Sequence, residues 1–435
     1  MAIMLRNALL VDIDPISVAS GELRIEDGLI AERGETVAQR VGDEVVDCGG
    51  CVVMPGMVNG HTHLYSALAV GMPPPPQPPQ NFLEILKFVW WRLDQALDAE
   101  SIEMSARIGA AEALRCGTTT LIDHHASPNF IDGSLDLIEQ AIGEVGLRAI
   151  LCYETTDRHG IGGRDAGLDE NRRYLDKYRV RQSNQFAGMV GAHAPFTLGD
   201  ETLDELVRMA DQFATGMHIH VAEDLCDEET CNEQHQAALI DRLAGHGLLN
   251  ERNIFAHGTH LDPVAIERVS NSGLTLAHNP RSNMNNAVGY APIAQYRCPV
   301  MLGTDGIGQD MFAEAQQAWY IARDVQADLA PQQIVGMFAV AARWASEALD
   351  ITLGKLETGA AADIILTDYA PTTPLTAENF AGHLIFGLSS RHVRDVIVAG
   401  RWGLRDRTVL TIDEPLVRRE ATRTAENLWQ RMEQY

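Results

Sequence analysis

The 435-residue sequence predicts an α/β protein: a (β/α)8 barrel of the TIM type with a small β-sandwich built from both chain ends. Short apolar runs alternate with longer helical stretches, a pattern typical of repeated βα units. The first and last runs start at Val52 and Val300, a separation close to the ~250 residues typical of such barrels. Short strands of alternating polarity near both termini predict the sandwich.

Eight apolar runs are the predicted barrel strands. Runs of this length between helical stretches are typical of parallel strands. The runs are Val52–Val58, Thr118–Ile122, Arg148–Tyr153, Phe186–Gly191, Gly216–Ile219, Asn253–Ala256, Gly273–Ala277 and Val300–Gly303.

The predicted strands at either end of the chain are too few to fold alone. We therefore expect residues 1–55 and 357–412 to form one composite β-sandwich and residues 56–356 to form the barrel. Residues 413–435 are expected to form a C-terminal surface helix at a subunit contact. The terminal strands are Ala8–Val11, Gly21–Ile25, Leu29–Ala31, Glu44–Asp47, Ala362–Leu366 and Val393–Gly400.

The formal net charge of −26 argues against nucleic acid or an anionic membrane as partner, because both are held by clustered cations. It suits a neutral or cationic small molecule instead. No apolar run is long enough to span a membrane and neither end resembles a signal peptide, so a cytoplasmic protein is predicted. Seven scattered cysteines favour free thiols in a reducing compartment. A homo-oligomer is expected.

A proline-rich stretch follows the first run. Pro73–Pro76 and the prolines at 78 and 79 stiffen an extended segment that leads to Phe82, Trp90 and Trp91. The stretch is either a rigid surface connection or a wall over the barrel mouth, and we favour the wall because long barrel loops tend to be functional. The two tryptophans are expected to pack in the core.

Polar side chains follow all eight runs, at the strand ends where such barrels place their active sites. On a strand, residues i and i+2 face the same side, so His61 and His63 can bind one metal ion together. One such histidine alone would indicate only a hydrogen-bonded strand end, but the whole set indicates a site. The set comprises His61, His63, Asp123, His124, His125, Glu154, His193, His220, Glu223, His257, His278 and Asp305.

Four members of this set are candidate metal ligands: His61, His63, His220 and Asp305. Such nitrogen and oxygen ligands suit Zn²⁺ or Fe²⁺, which makes water nucleophilic near neutral pH. Glu223 is placed to shuttle a proton to the substrate nitrogen, His257 to orient the water, and Asp305 can also accept a proton. The predicted substrate contacts are His125, Glu154, Asp157, His193, His278 and Gln77.

A missing residue predicts the number of metals. Binuclear barrel hydrolases commonly bridge two metals with a carboxylated lysine from the fourth strand, and the fourth run contains no lysine. Lys177 lies in the preceding helical stretch. One divalent metal per chain is therefore expected.

Motifs in order along nearly the whole chain carry a family resemblance. They are MPGMVNGHTH (54–63), HIHVAE (218–223), AHGTHL (256–261), HNPRSNM (278–284), LGTDG (302–306) and GKLETG (354–359). Through them the sequence resembles the amidohydrolase superfamily, in its cytosine-deaminase-like or chlorohydrolase branch. WWRLD (90–94), IDHHASP (122–128) and ETTDR (154–158) are most similar to SsnA-type aminohydrolases. The resemblance implies the same four metal ligands, acid–base work by Glu223 and a polarising role for His257.

These features predict metal-dependent deamination of a nitrogen heterocycle such as a purine, pterin or triazine, with release of ammonia. Ring opening of a cyclic amide and hydrolytic dechlorination are alternatives at the same site, and a non-catalytic scaffold is a remote one. The acceptors Glu154 and Asp157 suit an N–H-rich ring and favour deamination. Many aminohydrolases of this branch carry Ser-Asn-Asn where this chain has residues 307–310, IGQD, so the substrate stays open.

Overall fold

A computed structural model describes residues 2–180 and 183–435. The strands, in chain order, are β1 (Ile3–Ile13), β2 (Ile16–Glu26), β3 (Leu29–Gly34), β4 (Glu44–Asp47), β5 (Val52–Pro55), β6 (Met57–Thr62), β7 (Thr118–His125), β8 (Arg148–Tyr153), β9 (Phe186–Gly188), β10 (Val190–Ala192), β11 (Met217–Val221), β12 (Ile254–His257), β13 (Thr275–His278), β14 (Val300–Leu302), β15 (Ile364–Thr367), β16 (Val393–Val398), β17 (Arg401–Arg405) and β18 (Thr408–Val409).

Strands from both chain ends form one nine-stranded sheet, in the order β18-β17-β16-β15-β5-β1-β2-β3, with β4 also paired to β1. The sheet curls back on itself, since Leu29 bridges Ala361 and the Ile30 N–H donates to the Ala360 carbonyl. Along β15, Ile364 faces the small core of this curled sheet, whereas the next residue, Ile365, faces the main core. Hydrogen bonding joins the strands of the predicted sandwich into one curled sheet, because the long strand β1 pairs with β2 on one edge and with β4 and β5 on the other.

Strands β6 to β14 are parallel and form two sheets, β6-β7-β8-β9 and β10-β11-β12-β13-β14. Two predicted runs are divided between sheets. The first run breaks at Gly56, where a side chain would overlap Thr119, so that β5 joins the curled sheet and β6 the parallel one. The fourth run breaks at Met189, and its halves pair with β8 and β11. Isolated parallel bridges at Thr62–Asp305 and Thr155–Ala192 connect the two parallel sheets.

Helices follow most of the parallel strands. They are α1 (Phe82–Ile85), continued by a π-helical turn at Leu86–Trp90, α2 (Trp91–Ala96), α3 (Ala99–Arg115), α4 (Ser134–Val145), α5 (Gly160–Val180), α6 (Asp200–Phe213), α7 (Cys226–His235), α8 (Leu239–Gly245), α9 (Pro263–Ser272), α10 (Pro280–Asn285), α11 (Met311–Asp324), α12 (Pro331–Leu349), α13 (Phe380–Phe386) and α14 (Glu414–Met432). Within the described ranges, no helix combines the length and apolar character needed to cross a membrane.

The C-terminal helix α14 packs against helices α2 and α3 of the same chain. Its buried face includes Leu428 and Met432, whereas Leu416 is exposed. The Trp429 indole N–H donates to the Leu68 carbonyl at 3.0 Å. Most of the apolar spacing in this segment is therefore explained by packing within the chain.

A buried ion pair joins the parallel strands to the curled sheet. Arg148, the first residue of β8, is 1% exposed, and its Nε and Nη2 atoms lie 2.8 and 3.1 Å from the two carboxylate oxygens of Asp363. Asp363 also accepts the Ala399 N–H at 2.8 Å. Two parallel bonds of this kind fix the geometry of both side chains, so the pair holds the start of β8 against β15.

Candidate active site

The candidate ligands come together where β6, β11 and β14 end. The Asp305 N–H donates to the His61 carbonyl at 2.9 Å, and the His63 N–H donates to the Asp305 carbonyl at 3.2 Å. These backbone bonds set the carboxylate of Asp305 beside both histidines. His220 lies on β11, where His218 and His220 share one face of the strand. One ligand atom from each of His61, His63, His220 and Asp305 falls within 4.8 Å of all the others.

The donor pattern of this group fits a divalent cation. His63 donates its Nδ1–H to the His124 carbonyl at 2.5 Å, and His220 donates its Nδ1–H to the His193 carbonyl at 2.8 Å. In the neutral rings the Nε2 atoms then carry lone pairs. These two Nε2 atoms lie only 3.1 Å apart, and that of His63 lies 2.9 Å from the Asp305 carboxylate. Acceptors that face one another in a buried site are stabilised by a cation bound between them.

His61 completes the group. Its Nε2 atom lies 3.3 Å from the Asp305 carboxylate and has no hydrogen-bond partner, although the ring is fully buried. Its Nδ1 atom lies 2.8 Å from Nε2 of His218. A ring held in this way by a second histidine presents the remaining nitrogen in a fixed direction, which is typical of a metal ligand.

Glu223 and His257 lie next to this group. The Nε2 atom of His257 lies 3.4 Å from the Glu223 carboxylate and 3.8 Å from that of Asp305. The His257 Nδ1–H donates to the Asn283 side-chain oxygen at 2.9 Å, so its Nε2 lone pair faces both carboxylates. The Asn286 amide donates to Glu223 at 3.2 Å. Glu223 and His257 are therefore held in contact, with one nitrogen and one carboxylate free to handle protons.

The two carboxylates have opposite pKa shifts. Burial raises the pKa of Glu223 to about 7; the neighbouring His257 opposes this shift and Asp305 adds to it. Burial would also raise the pKa of Asp305, but contacts with His61 and His63 hold it well below its usual range. Carboxyl groups whose pKa values are driven apart in one site are typical of separate acid–base and ligand roles.

Backbone strain is concentrated at the same place. Ala222, His257 and Asp305 have φ angles of 51°, 78° and 53°, in the left-handed region that side chains other than glycine rarely adopt. Each follows or ends a parallel strand, so the left-handed residue turns the chain across the strand end. Strain of about 1–3 kcal/mol per residue persists where the surroundings impose it, and it tends to cluster at functional sites.

A cavity opens beside these groups. Its polar lining comprises His63, His220, Glu223, Asp305, Asn286, Asp94, Glu154 and His193. Its apolar wall contains Phe82, Leu86, Trp90 and Trp91, which follow the proline-rich stretch.

Only two of the six predicted substrate contacts, Glu154 and His193, line the cavity. His125 is buried behind it and bonds to the Ser127 hydroxyl at 2.8 Å. Asp157 accepts the Gly199 N–H at 2.6 Å and the Thr202 hydroxyl at 2.8 Å, and so holds the start of α6 instead.

The other two predicted contacts also lie elsewhere. His278 is 1% exposed, packs its ring 6.2 Å from that of Tyr290 and does not line the cavity. Gln77 is exposed on the proline-rich segment, which does not line the cavity between Ser66 and Phe82.

Several residues at the site were not predicted from the sequence. Trp90 and Trp91 pack against buried apolar clusters, as expected, and they also line the cavity. Asp94 lines it too, and Arg158 stacks 4.4 Å above the Trp91 ring. The WWRLD segment (90–94) could have indicated Trp90, Trp91 and Asp94 as cavity residues, because it places a carboxylate next to aromatic side chains. Nothing in the sequence marked Arg158 as more than a charged loop residue.

Lys177 forms ion pairs with acidic residues outside the four-ligand group and does not bridge metals. On α5, its Nζ atom lies 2.7 Å from Asp136 and 2.6 Å from Glu139. Among the described residues, two other groups could hold a metal, namely His63-His124-Glu154 and Glu223-His257-Asp305. Each shares one residue with the four-ligand group.

Comparison with known proteins agrees with this geometry. A 5-methylthioadenosine/S-adenosylhomocysteine deaminase of Desulforudis audaxviator is 30% identical over 448 residues, covering 98% of this chain and 99% of the relative. The crystal structure of an adenosine deaminase from Xanthomonas campestris with bound zinc has a TM-score of 0.85 at 23% identity, with 98% of each chain covered. Atrazine chlorohydrolase from Arthrobacter aurescens, complexed with zinc, has a TM-score of 0.82 at 21% identity and covers 97% of this chain and 100% of its own.

The family model that matches describes the amidohydrolase family and spans residues 52–403. This range contains the four candidate ligands as well as Glu223 and His257. The chain belongs to the amidohydrolase family.

Proposed function

We propose that this chain is a metal-dependent hydrolase that deaminates an aminated nitrogen heterocycle, of purine, pterin or triazine type, and releases ammonia. The observation that carries the proposal is the convergence of four buried ligand atoms with the Glu223–His257 pair on one cavity. The deaminase from Desulforudis audaxviator, similar over nearly the full length of both chains, supports the same class of reaction.

His61, His63, His220 and Asp305 would hold one Zn²⁺ or Fe²⁺ ion per chain. Such an ion supplies Lewis-acid chemistry and makes water nucleophilic near neutral pH. The low pKa of Asp305 keeps this carboxylate ionised and suited to a ligand role. Its second oxygen accepts the Ser282 hydroxyl at 2.5 Å, which fixes the orientation of the carboxylate.

Glu223 carries the proton in this proposal. It takes a proton from the attacking water and delivers it to the ring nitrogen next to the carbon under attack; it then passes the proton of the added hydroxyl to the amino group, so that the C–N bond breaks, ammonia leaves and a carbonyl forms. His257 orients the water, because its ring is fixed by Asn283 and its Nε2 atom faces the same space as both carboxylates. A carboxyl with a pKa of about 7 is suited to accepting and releasing a proton at neutral pH.

Ring opening of a cyclic amide and displacement of chloride use the same residues and are the alternatives; a scaffold without catalysis is a remote one. The acidic wall formed by Asp94 and Glu154 favours a ring rich in N–H groups and hence deamination. A screen of the zinc-loaded and iron-loaded protein against aminated rings, cyclic amides and chlorotriazines tests this. Ammonia release with an intact ring is expected; a new carboxylate without ammonia, or chloride release, would replace deamination by the corresponding alternative, and inertness towards all three would favour the scaffold.

We further propose that the parallel strands close into a (β/α)8 barrel. The backbone contacts from Asp305 and Thr304 to His61, and from His193 to Thr155, support a closed ring. Residues 1–55 and 357–412 would then form the second domain and residues 413–435 an appended helix. A cytoplasmic location and a homo-oligomeric state remain predictions of the sequence.

A further inference from the structure

A second group of acidic side chains, Asp94 and Glu154, lines the cavity together with Glu223. Asp94 lies on α2 and Glu154 directly follows β8, and the two side chains are only 3% and 4% exposed. Both line the cavity. A buried carboxylate is costly unless a donor meets it, so each oxygen atom here needs a partner.

The Arg158 guanidinium lies near both carboxylates but is within hydrogen-bond distance of Glu154 and not of Asp94. The Nη2 atom of Arg158 lies 3.2 Å from Glu154 but 3.6 Å from Asp94, beyond a good hydrogen bond. Arg158 is held in place by the Trp91 ring and by a bond from its Nε–H to the Thr156 hydroxyl at 3.2 Å. The Nδ1 atom of His124 and the Nε2 atom of His193 also lie 3.3 and 3.7 Å from Glu154, so Asp94 is the less well matched of the two carboxylates.

Two buried atoms of this wall have no hydrogen-bond partner among the residues that the structure describes. They are the Oδ1 atom of Asp94, an acceptor, and the indole Nε1–H of Trp91, a donor. Both residues line the cavity. Unmatched acceptor and donor atoms in the wall of a ligand cavity indicate the polar pattern of the ligand that fills it.

We propose that Asp94, Glu154 and the Trp91 indole recognise the edge of the substrate ring that faces away from the carbon under attack. This inference rests on the proposed function and names its substrate class. The ring carries a further amino or amidine-type N–H group for the carboxylates, and an acceptor nitrogen or carbonyl for the indole N–H. A ring with a carboxylate or phosphate on this edge is excluded, because it would meet two carboxylates.

Paired purines test the inference without turnover. Adenine and 2,6-diaminopurine differ by one exocyclic amino group, and their binding to the zinc-loaded Glu223→Gln protein is measured by titration calorimetry. The diamino ring is expected to bind about 10-fold to 100-fold more tightly, the range of a hydrogen bond to a charged group. Asp94→Asn is expected to remove most of this preference, whereas Asp165→Asn, the same change at an exposed acid on α5, keeps it.

Trp91→Phe provides a second variant that removes only the indole donor and retains an aromatic ring. It should weaken the binding of both purines to a similar extent. Equal affinities in the parent protein, failure of both purines to bind, or a folded Asp94→Asn protein with an unchanged preference would overturn the inference. If the protein prefers 2,6-diaminopurine over adenine but turns over no aminated ring, the proposed function is overturned and the recognition by Asp94, Glu154 and Trp91 is retained.

Discussion

Replacing Glu223 by glutamine is the sharpest test of the assigned proton carrier. The amide has the size of the carboxyl, and its oxygen can still accept the hydrogen bond from the Asn286 side-chain nitrogen, which lies 3.2 Å from Glu223. The NH₂ group of the glutamine would face the His257 Nε2 atom, which lies 3.4 Å from the Glu223 carboxylate. Among the described residues, this Nε2 atom has no hydrogen-bond partner. The variant is therefore expected to fold and to retain its metal.

The amide cannot exchange protons near neutral pH, so catalysis should fall although binding persists. General acid–base catalysis contributes about 10²-fold to 10⁴-fold, which corresponds to about 2.7–5.4 kcal/mol of activation free energy. We expect a loss of turnover in this range. Because Glu223 lies beside the ligands without belonging to the four-ligand group, the metal content should stay at the parent level.

The assay follows ammonia release by the metal-loaded protein, with metal content and thermal unfolding measured on the same samples. Glu229→Gln, the same chemical change at an exposed position on α7, is the matched control and should retain parent activity. A folded, metal-loaded Glu223→Gln protein with near-parent turnover would remove Glu223 from the mechanism. Loss of metal in that variant would make Glu223 a ligand.

Three further outcomes are expected. His61→Ala and Asp305→Ala should each lower the metal content seen by elemental analysis; a parent-level content in both would refute the ligand set. Arg148→Ala should lower the free energy of unfolding in urea by about 3–5 kcal/mol, because a buried carboxylate loses its partner, whereas Arg343→Ala, in an exposed pair, should cost less than about 1 kcal/mol. Gln77→Ala should leave turnover unchanged, and a tenfold loss would restore Gln77 as a substrate contact.

The ligand group was predictable because strand geometry converts spacing into position. His61 and His63 follow the first apolar run, and Asp305 follows the last of the eight runs. The carboxyl ends of parallel strands meet at one edge, so these side chains had to lie close together wherever the exact strand bounds fell. The short-range pattern therefore sufficed for the ligands without any knowledge of side-chain contacts.

The residues of the cavity wall were harder to predict, because an apolar side chain that lines a cavity cannot be distinguished by sequence from one that packs in the core. Trp90 and Trp91 are partly buried and apolar, as residues of a core helix would be. The π-helical turn at Leu86–Trp90 changes which side chains face inward, and helical periodicity does not reveal it. The break of the first run at Gly56 was hidden for a related reason, since both halves of an uninterrupted apolar run are buried in different sheets.

The choice between two consecutive histidines shows where pattern alone fails. Alternation along β7 places His124 on the same face as Ile122, in the core cluster that also contains Ile150 and Ile254, while Leu121 and His125 face the other way. The His124 ring accordingly lies 4.8 Å from that of His220, and His125 turns to Ser127. Both faces of β7 are buried and both carry polar residues, so polarity does not show which face meets the site.

Alternation also fails where the backbone turns. Along β12, Ile254 and Ala256 belong to that same core cluster, so strict alternation would point His257 away from it. The φ angle of 78° at His257 reverses this direction and brings its ring to Glu223. A strained residue at a strand end is set by its tertiary surroundings. The sequence could therefore predict that His257 lies near the metal ligands. The direction of its ring towards Glu223 depends on the backbone conformation at His257, which the sequence pattern does not reveal.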